Sequence, residues 1–418
     1  MNDHRNGSFS SSMGFIIACV GSAVGLGNIW MFPYRVGQYG GAAFLIPYLL
    51  FVFLFGWVGL SAEFGIGRLA GTGTIGAYEH CFASRGKKAV GTVISWIPLL
   101  GSLGIAIGYA VILGWVLRSL GGAVTGALMQ TDSAVFFQQA TGDLGSVGWH
   151  VAIVAIVCLI LLFGVKGGIE KVSKVMMPLF FVLFLGLAIW VGFLPGAQAG
   201  YQFLFVPDWS ALLRADTWVM AMGQAFFSLS ITGSGMIVYG AYLGKNVDIP
   251  RASLRTAIFD TLAAMLSALA IMPAVFQQMP LGRLFAVFFF VSVAFAGITS
   301  LMNMFEAVTE SWQHKFGLPR RAAVLICSAL TLVVGLFIEQ ETRVGNWLDF
   351  VTIVIVPIGA VLGAISIYYV LGWPKIRQEL ELGREKPLHR AFGSAGKYIY
   401  VPLTILVLVL GFIYGGIG

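Results

Sequence analysis

The chain has 418 residues, 58% of them hydrophobic and only 10% charged, whereas a soluble domain carries about 25% charged residues. Apolar runs of about 18 or more residues recur along the whole length, which excludes a soluble globular protein and predicts an all-α polytopic membrane protein. Cysteines at 19, 81, 158 and 327 stand far apart with no CxxC or His/Cys cluster, so neither a zinc site nor a disulfide framework is expected, and the net charge of +7 matters through its distribution.

Eleven spans are predicted, at about 13–37, 41–70, 89–123, 148–165, 172–195, 216–241, 252–276, 282–313, 321–338, 345–372 and 397–416. A polar segment, 1–12, precedes them; the apolar run after it continues into span one without a cleavage site, so no signal peptide is expected. Placing the N-terminus in the cytoplasm puts 20 of the 25 Lys and Arg residues on inward segments. Arg35, Arg118, Arg214, Arg283 and Arg343 stay outside. The expected topology is therefore N-terminus inside and C-terminus outside.

Span one contains GSAVGLGNIWMFP, from Gly21 to Pro33. A helix that only crossed lipid would favour leucine here, because glycine costs about 1 kcal/mol relative to alanine in a helix interior. Each backbone group freed in lipid costs several kcal/mol unless it finds a partner. The segment makes sense if the helix breaks and offers loose carbonyls to a cation. Span six carries a second such stretch, SLSITGSG, at 228–235. Taking 13–195 and 216–372 as two five-span halves puts a break in the first member of each. The odd span number then makes the halves inverted repeats, with a binding site near the midplane. The loop 373–396 is assigned to the cytoplasm, and 397–416 is the eleventh span.

Several polar groups lie inside the spans. Glu63 is suited to accepting N–H groups from a broken helix or to pairing with Arg68. Tyr109 offers one hydroxyl in an apolar helix. Asp260 sits deep in span seven, where a carboxylate is expensive and functional by default; its expected partner is a cation held with Asn28 and Ser228. In span eight, Ala296, Thr299, Ser300, Asn303 and Glu306 share one helical stripe. Adjacent hydroxyls there either complete an oxygen cage or bond back to their own helix. Asp349 is read as an acid near the start of span ten.

The motif GSAVGLGNIWMFPYRVGQYGGAAFLIPY, with QAFFSLSITGSG, AGITSLMN and SWIPLLGSLGIAIGY, resembles the neurotransmitter:sodium symporter family over nearly the whole chain. Its bacterial eleven-span amino-acid members are the most similar. The resemblance implies a sodium-driven symporter of the bacterial inner membrane, not an enzyme, working by alternating access through two inverted five-helix repeats. It implies a first sodium site at Ala23, Asn28, Ser228 and Asp260, and a second at Gly21, Val24, Ala296, Thr299 and Ser300. The substrate position maps to Ala23, Gly27, Ile105, Tyr109, Phe227, Ser228, Ser230, Thr232, Gly233 and Met304. Phe227 would close over a neutral, apolar amino acid, and Gly233 would enlarge the pocket. Asn303, Glu306 and Glu310 would line a wetted exit. Two Na⁺ ions are expected, with no chloride requirement because Asp260 supplies fixed charge. The expected partners are the amino acid and the lipid bilayer, not nucleic acid, with the chain a monomer or homodimer.

Three positions depart from the family. Met31 replaces a gate arginine that pairs with the acid matching Asp349, and Arg35 is the substitute considered. His314 replaces an aspartate at the opposite gate. The connection IMPAVFQQMPLGRLFAV is too short for the family's outer hairpin. A Na⁺-dependent amino-acid receptor without flux and a proton-coupled carrier using Asp260 stand as alternatives.

Overall fold

The computed structural model describes residues 8–271 and 281–417, and every regular element among them is helical. Leaving aside short helices in the connections, these are in chain order α1 Ser12–Ala23, α2 Gly27–Gln38, α3 Ala42–Ala70, α4 Thr74–Ala83 and α5 Lys88–Thr125. Then come α6 Val147–Leu162, α7 Val165–Gly192, α8 Ala215–Ser228 and α9 Gly235–Ala241. The last are α10 Ile249–Ile271, α11 Gly282–Phe316, α12 Arg320–Phe337, α13 Glu341–Leu380 and α14 Ala391–Tyr414. Eight described helices are long and apolar enough to cross a bilayer, and the bent pair α1–α2 makes a ninth. The α6 helix is apolar but shorter, and α8–α9 are the two pieces of predicted span six.

Two long helices, α5 with 38 residues and α11 with 35, pack along each other as the central pair. At a rise of about 1.5 Å per residue each exceeds the roughly 20 residues that a bilayer core demands. The broken pairs are seated around them. The α1 helix touches α7, α10 and α11; α8 lies on the first half of α3, and α9 on its second half. Glycines allow the closest approaches. A Cβ at Gly297 of α11 would meet the Leu113 side chain of α5, and one at Gly67 of α3 would meet the Ile237 carbonyl of α9.

Asp349 is not at a helix start. Gln340 caps α13 by accepting the Arg343 N–H at 3.2 Å, so the helix begins at Glu341 and Asp349 lies two turns inside it. The dipole argument therefore applies to Glu341. At the other end of this span, Gly372 turns the chain with φ +91°, and Trp373–Leu380 continues as a short helix. The short connection after α10 lies mostly at 272–280, outside the described residues, between Ile271 and Gly282.

Candidate ion and substrate site

The first break is built by satisfying its N–H groups with side chains. α1 stops at Ala23, Val24 is extended (φ −71°, ψ 110°), and α2 resumes at Gly27 with a 59° bend. The Gly25 N–H is accepted by Asn28 Oδ1 at 3.1 Å and the Leu26 N–H by the Tyr109 hydroxyl at 2.7 Å. With the donors occupied, the carbonyls are what the break presents. Ser300 Oγ of α11 lies 3.2, 3.1 and 3.0 Å from the carbonyls of Gly21, Ser22 and Val24. Glycine is required at Gly21 and Gly25: a Cβ would press on Thr299 and Met177 at the first, and on the Tyr109 and Ser300 hydroxyls at the second.

The two hydroxyls of α11 divide the alternatives between them. Thr299 Oγ1 bonds back to the Phe295 and Ala296 carbonyls, both at 3.0 Å, while Ser300 reaches across to the broken helix. Both side chains are buried against α1 rather than turned to lipid.

The second break runs from Leu229 to Ser234. Ser230 (φ +53°) and Gly233 (φ +73°) take left-handed conformations there. Glu63 Oε1 accepts the Gly233 N–H at 2.7 Å, which anchors this break to α3. Arg68 pairs instead with Glu379 at 2.5 Å, so its proposed pairing with Glu63 does not occur. Ser230 Oγ reaches the Ser22 carbonyl at 3.3 Å, which ties the two breaks together. Gly233 does not enlarge a pocket: its Cβ direction is filled by the Gly359 carbonyl of α13 and the Tyr78 hydroxyl. Tyr78 itself lies 3.3 Å from both the Gly233 and Gly359 carbonyls, a contact that no sequence pattern announced.

Asp260 is fully buried in α10. Asn28 Nδ2 donates to its Oδ1 at 2.7 Å and Ser228 Oγ to its Oδ2 at 2.6 Å. Asn28 Nδ2 also lies 3.0 Å from Ser228 Oγ. No Lys, Arg or His pairs with this carboxylate among the described residues. A buried charge is stable only when paired, so these residues suit a cation. Asp260 and Ser228 present oxygens there, while Asn28 presents its Nδ2, its Oδ1 being taken by the Gly25 N–H.

Of the substrate candidates, Ile105, Tyr109, Phe227, Ser230, Thr232 and Met304 are half-buried, each between buried chain neighbours. Gly27 is exposed, and its Cβ direction is open. Ala23, Ser228 and Gly233 are buried. Of the gate residues, Met31 is half-buried and Asp349 exposed, with no ion pair to Asp349 among the described residues. Arg35 does not replace the missing gate arginine. It is buried, and its guanidinium lies against the Met220 sulfur of α8.

Of the expected exit residues, Asn303 and Glu306 are buried and engaged in contacts, and Glu310 is half-buried. Glu306 is fully buried and takes a bidentate bond from Arg320 at 2.9 and 2.7 Å, plus one from the Tyr242 hydroxyl at 2.6 Å. Asn303 Nδ2 donates to the Gly235 carbonyl at 2.9 Å. Arg320 sits 14 residues beyond Glu306 across a helix turn, a separation that periodicity does not register. His314 lies 3.5 Å from Glu79, together with Lys315 at 3.1 Å and Lys88 at 3.3 Å.

The model of the sodium:neurotransmitter symporter family matches residues 6–140, 131–275 and 268–413. The chain belongs to the sodium:neurotransmitter symporter family. This symporter is 30% identical over 453 aligned positions to the uncharacterized sodium-dependent transporter YhdH of Bacillus subtilis, across 99% of each chain. Those positions outnumber its own 418 residues, so the relative has residues without a counterpart here. It is 32% identical to the uncharacterized sodium-dependent transporter MJ1319 of Methanocaldococcus jannaschii, across 89% of this chain and 84% of that one. Among solved structures, MhsT in complex with L-phenylalanine superimposes with a TM-score of 0.84 at 28% identity, covering 97% of this chain and 100% of that one. The protein is thus a membrane transporter of a sodium-coupled family, and its relatives are transporters rather than enzymes.

Proposed function

We propose that this symporter imports a neutral, apolar amino acid together with two Na⁺ ions by alternating access. The observation that carries the reading is the pair of helix breaks, meeting beside a buried carboxylate without a cationic partner. One ion is held by the Ala23 carbonyl, Asn28, Ser228 and Asp260. Asn28 must turn its amide over to offer oxygen instead of donating to Asp260. The other ion takes the carbonyls of Gly21, Val24 and Ala296 with the hydroxyls of Thr299 and Ser300. Ser300 already spans the carbonyls that such an ion would bridge.

The amino acid lies against Gly27, Ile105, Tyr109, Ser230, Thr232 and Met304, with Phe227 above it. L-phenylalanine in the structurally similar MhsT supports an apolar substrate. Each ion that moves inward through 100 mV contributes about 2.3 kcal/mol. Asp260 supplies fixed negative charge, so chloride is not required. The two repeats at 13–195 and 216–372 rock about this site in a bacterial inner membrane, and the chain works as a monomer or homodimer.

The test is uptake of labelled neutral amino acids into proteoliposomes. An inward Na⁺ gradient is expected to drive accumulation, equally in chloride and in gluconate. Equal uptake with and without that gradient would sink sodium coupling. Uptake driven by a pH gradient alone would favour the proton carrier, and Na⁺-dependent binding without flux the receptor.

A further inference from the structure

His314 removes the acid of one familiar gate, yet α1 is tightly fixed at its N-terminal end. Glu170, at the end of the π-helical first turn of α7, is buried. Its Oε2 accepts the Ser10 N–H at 2.7 Å, and its Oε1 takes the Ser10 hydroxyl and Lys174 Nζ, the latter at 2.5 Å. Lys174 Nζ also lies 3.3 Å from Ser10 Oγ. The carboxylate lies on α1 because residue 14 is glycine, where a Cβ would overlap it. Ser11 then caps α1 by accepting the Gly14 N–H at 3.0 Å.

The same two helices meet again at the proposed second ion site. Met177 of α7 packs on Gly21, and Thr299 Oγ1 lies 3.6 Å from its sulfur. Met177 follows Glu170 by two helical turns, about 10 Å. α1 and α7 are therefore bridged at both ends, once by the side chains around that site and once by the Glu170 cluster. The Glu170 cluster thus stands on the N-terminal side of Thr299 and Ser300, between the same two helices.

We propose that Glu170 is the latch on this side of the symporter: through Ser10 and Lys174 it pins α1 to α7 and keeps the second ion site closed toward the N-terminal end. The proposal rests on the alternating-access reading above, but its test requires no flux. The charge is what makes the latch. A carboxylate accepts from a backbone N–H, a hydroxyl and an ammonium at once, and such charge-assisted bonds are about twice as strong as neutral ones. Opening must break both Ser10 bonds to this carboxylate, while the Lys174 pair, four residues on in the same helix, can persist.

Cys19 is a built-in reporter. It is fully buried on α1, two residues before Gly21. Replacing Cys81, Cys158 and Cys327 with alanine leaves it as the single thiol. In purified protein, its reaction rate with a small hydrophilic methanethiosulfonate is measured in Na⁺ and in K⁺. Glu170→Gln is expected to raise the K⁺ rate about tenfold or more, the loss of one charged bond, and to require more Na⁺ for protection. Ser10→Ala removes the hydroxyl donor at an exposed position outside the helices, and should act in the same direction. An unchanged Cys19 rate in both variants overturns the proposal. So does a parallel rise at Cys158 in the matching single-cysteine protein, because that marks general loosening. Failure of sodium-driven uptake in the parent protein is a separate result, and bears on the transport reading alone.

Discussion

Ser300 shows how much one oxygen decides. It sits within 3.2 Å of three carbonyls that the break in α1 has released. Without it, those carbonyls lose both their present donor and a ligand for an ion. An unmet buried polar group costs about 1–3 kcal/mol, and about 1.4 kcal/mol is a tenfold change in binding. Ser300→Ala is therefore expected to weaken Na⁺ binding about tenfold or more, read as a higher Na⁺ concentration for half-maximal thermal stabilisation. An equal Na⁺ response in parent and variant would remove Ser300 from the site. Sequence pattern placed Ser300 and Thr299 side by side on one stripe. It did not show that one would reach across and the other bond back to its own helix. That difference comes from the distance to α1, which is set by Gly21 and Gly25.

At the scale of elements, α4 is held to the ends of α5 and α11 by one carboxylate. Glu79 accepts from Thr92 Oγ1 at 2.6 Å and pairs with Lys315 and Lys88. This helix lies outside the spanning segments. Burial alone would raise the Glu79 carboxyl, but the bonds from Thr92, Lys315 and Lys88 outweigh it and hold it at about 2. A carboxyl lower in the folded than in the unfolded protein stabilises fully above its unfolded value, 4.5. That contribution fades as the pH falls toward about 2. The parent should thus melt above Glu79→Gln at pH 7, with the gap shrinking steadily below about pH 4.5. A gap independent of pH would mean that the charge on Glu79 plays no part. The element also explains His314. With two lysines already on Glu79, the histidine joins a basic cluster around one acid rather than acting as a gate acid.

For the whole molecule, charge distribution predicts orientation. The connections on the N-terminal side carry most of the Lys and Arg residues, and such excess stays in the cytoplasm. A cysteine tag after residue 417 should react with an impermeant maleimide added to intact cells, and a tag before residue 8 only after permeabilisation. The reverse pattern would invert the import direction proposed for the site. Relatives that match across nearly the full length make the fold secure.

By itself the sequence determined the membrane class, the positions of both breaks and the oxygen-bearing residues around them. Each is a local matter of hydropathy, glycine placement and the cost of polar groups in lipid. Tertiary structure alone decided who meets whom. It set Glu63 on Gly233 rather than Arg68, turned Arg35 away from Asp349, and filled the space beside Gly233 with Gly359 and Tyr78. It also brought Glu170 under Ser10, 160 residues away. Such pairings depend on how closely helices distant in the chain can approach. Helical periodicity within any one of them holds no record of that distance.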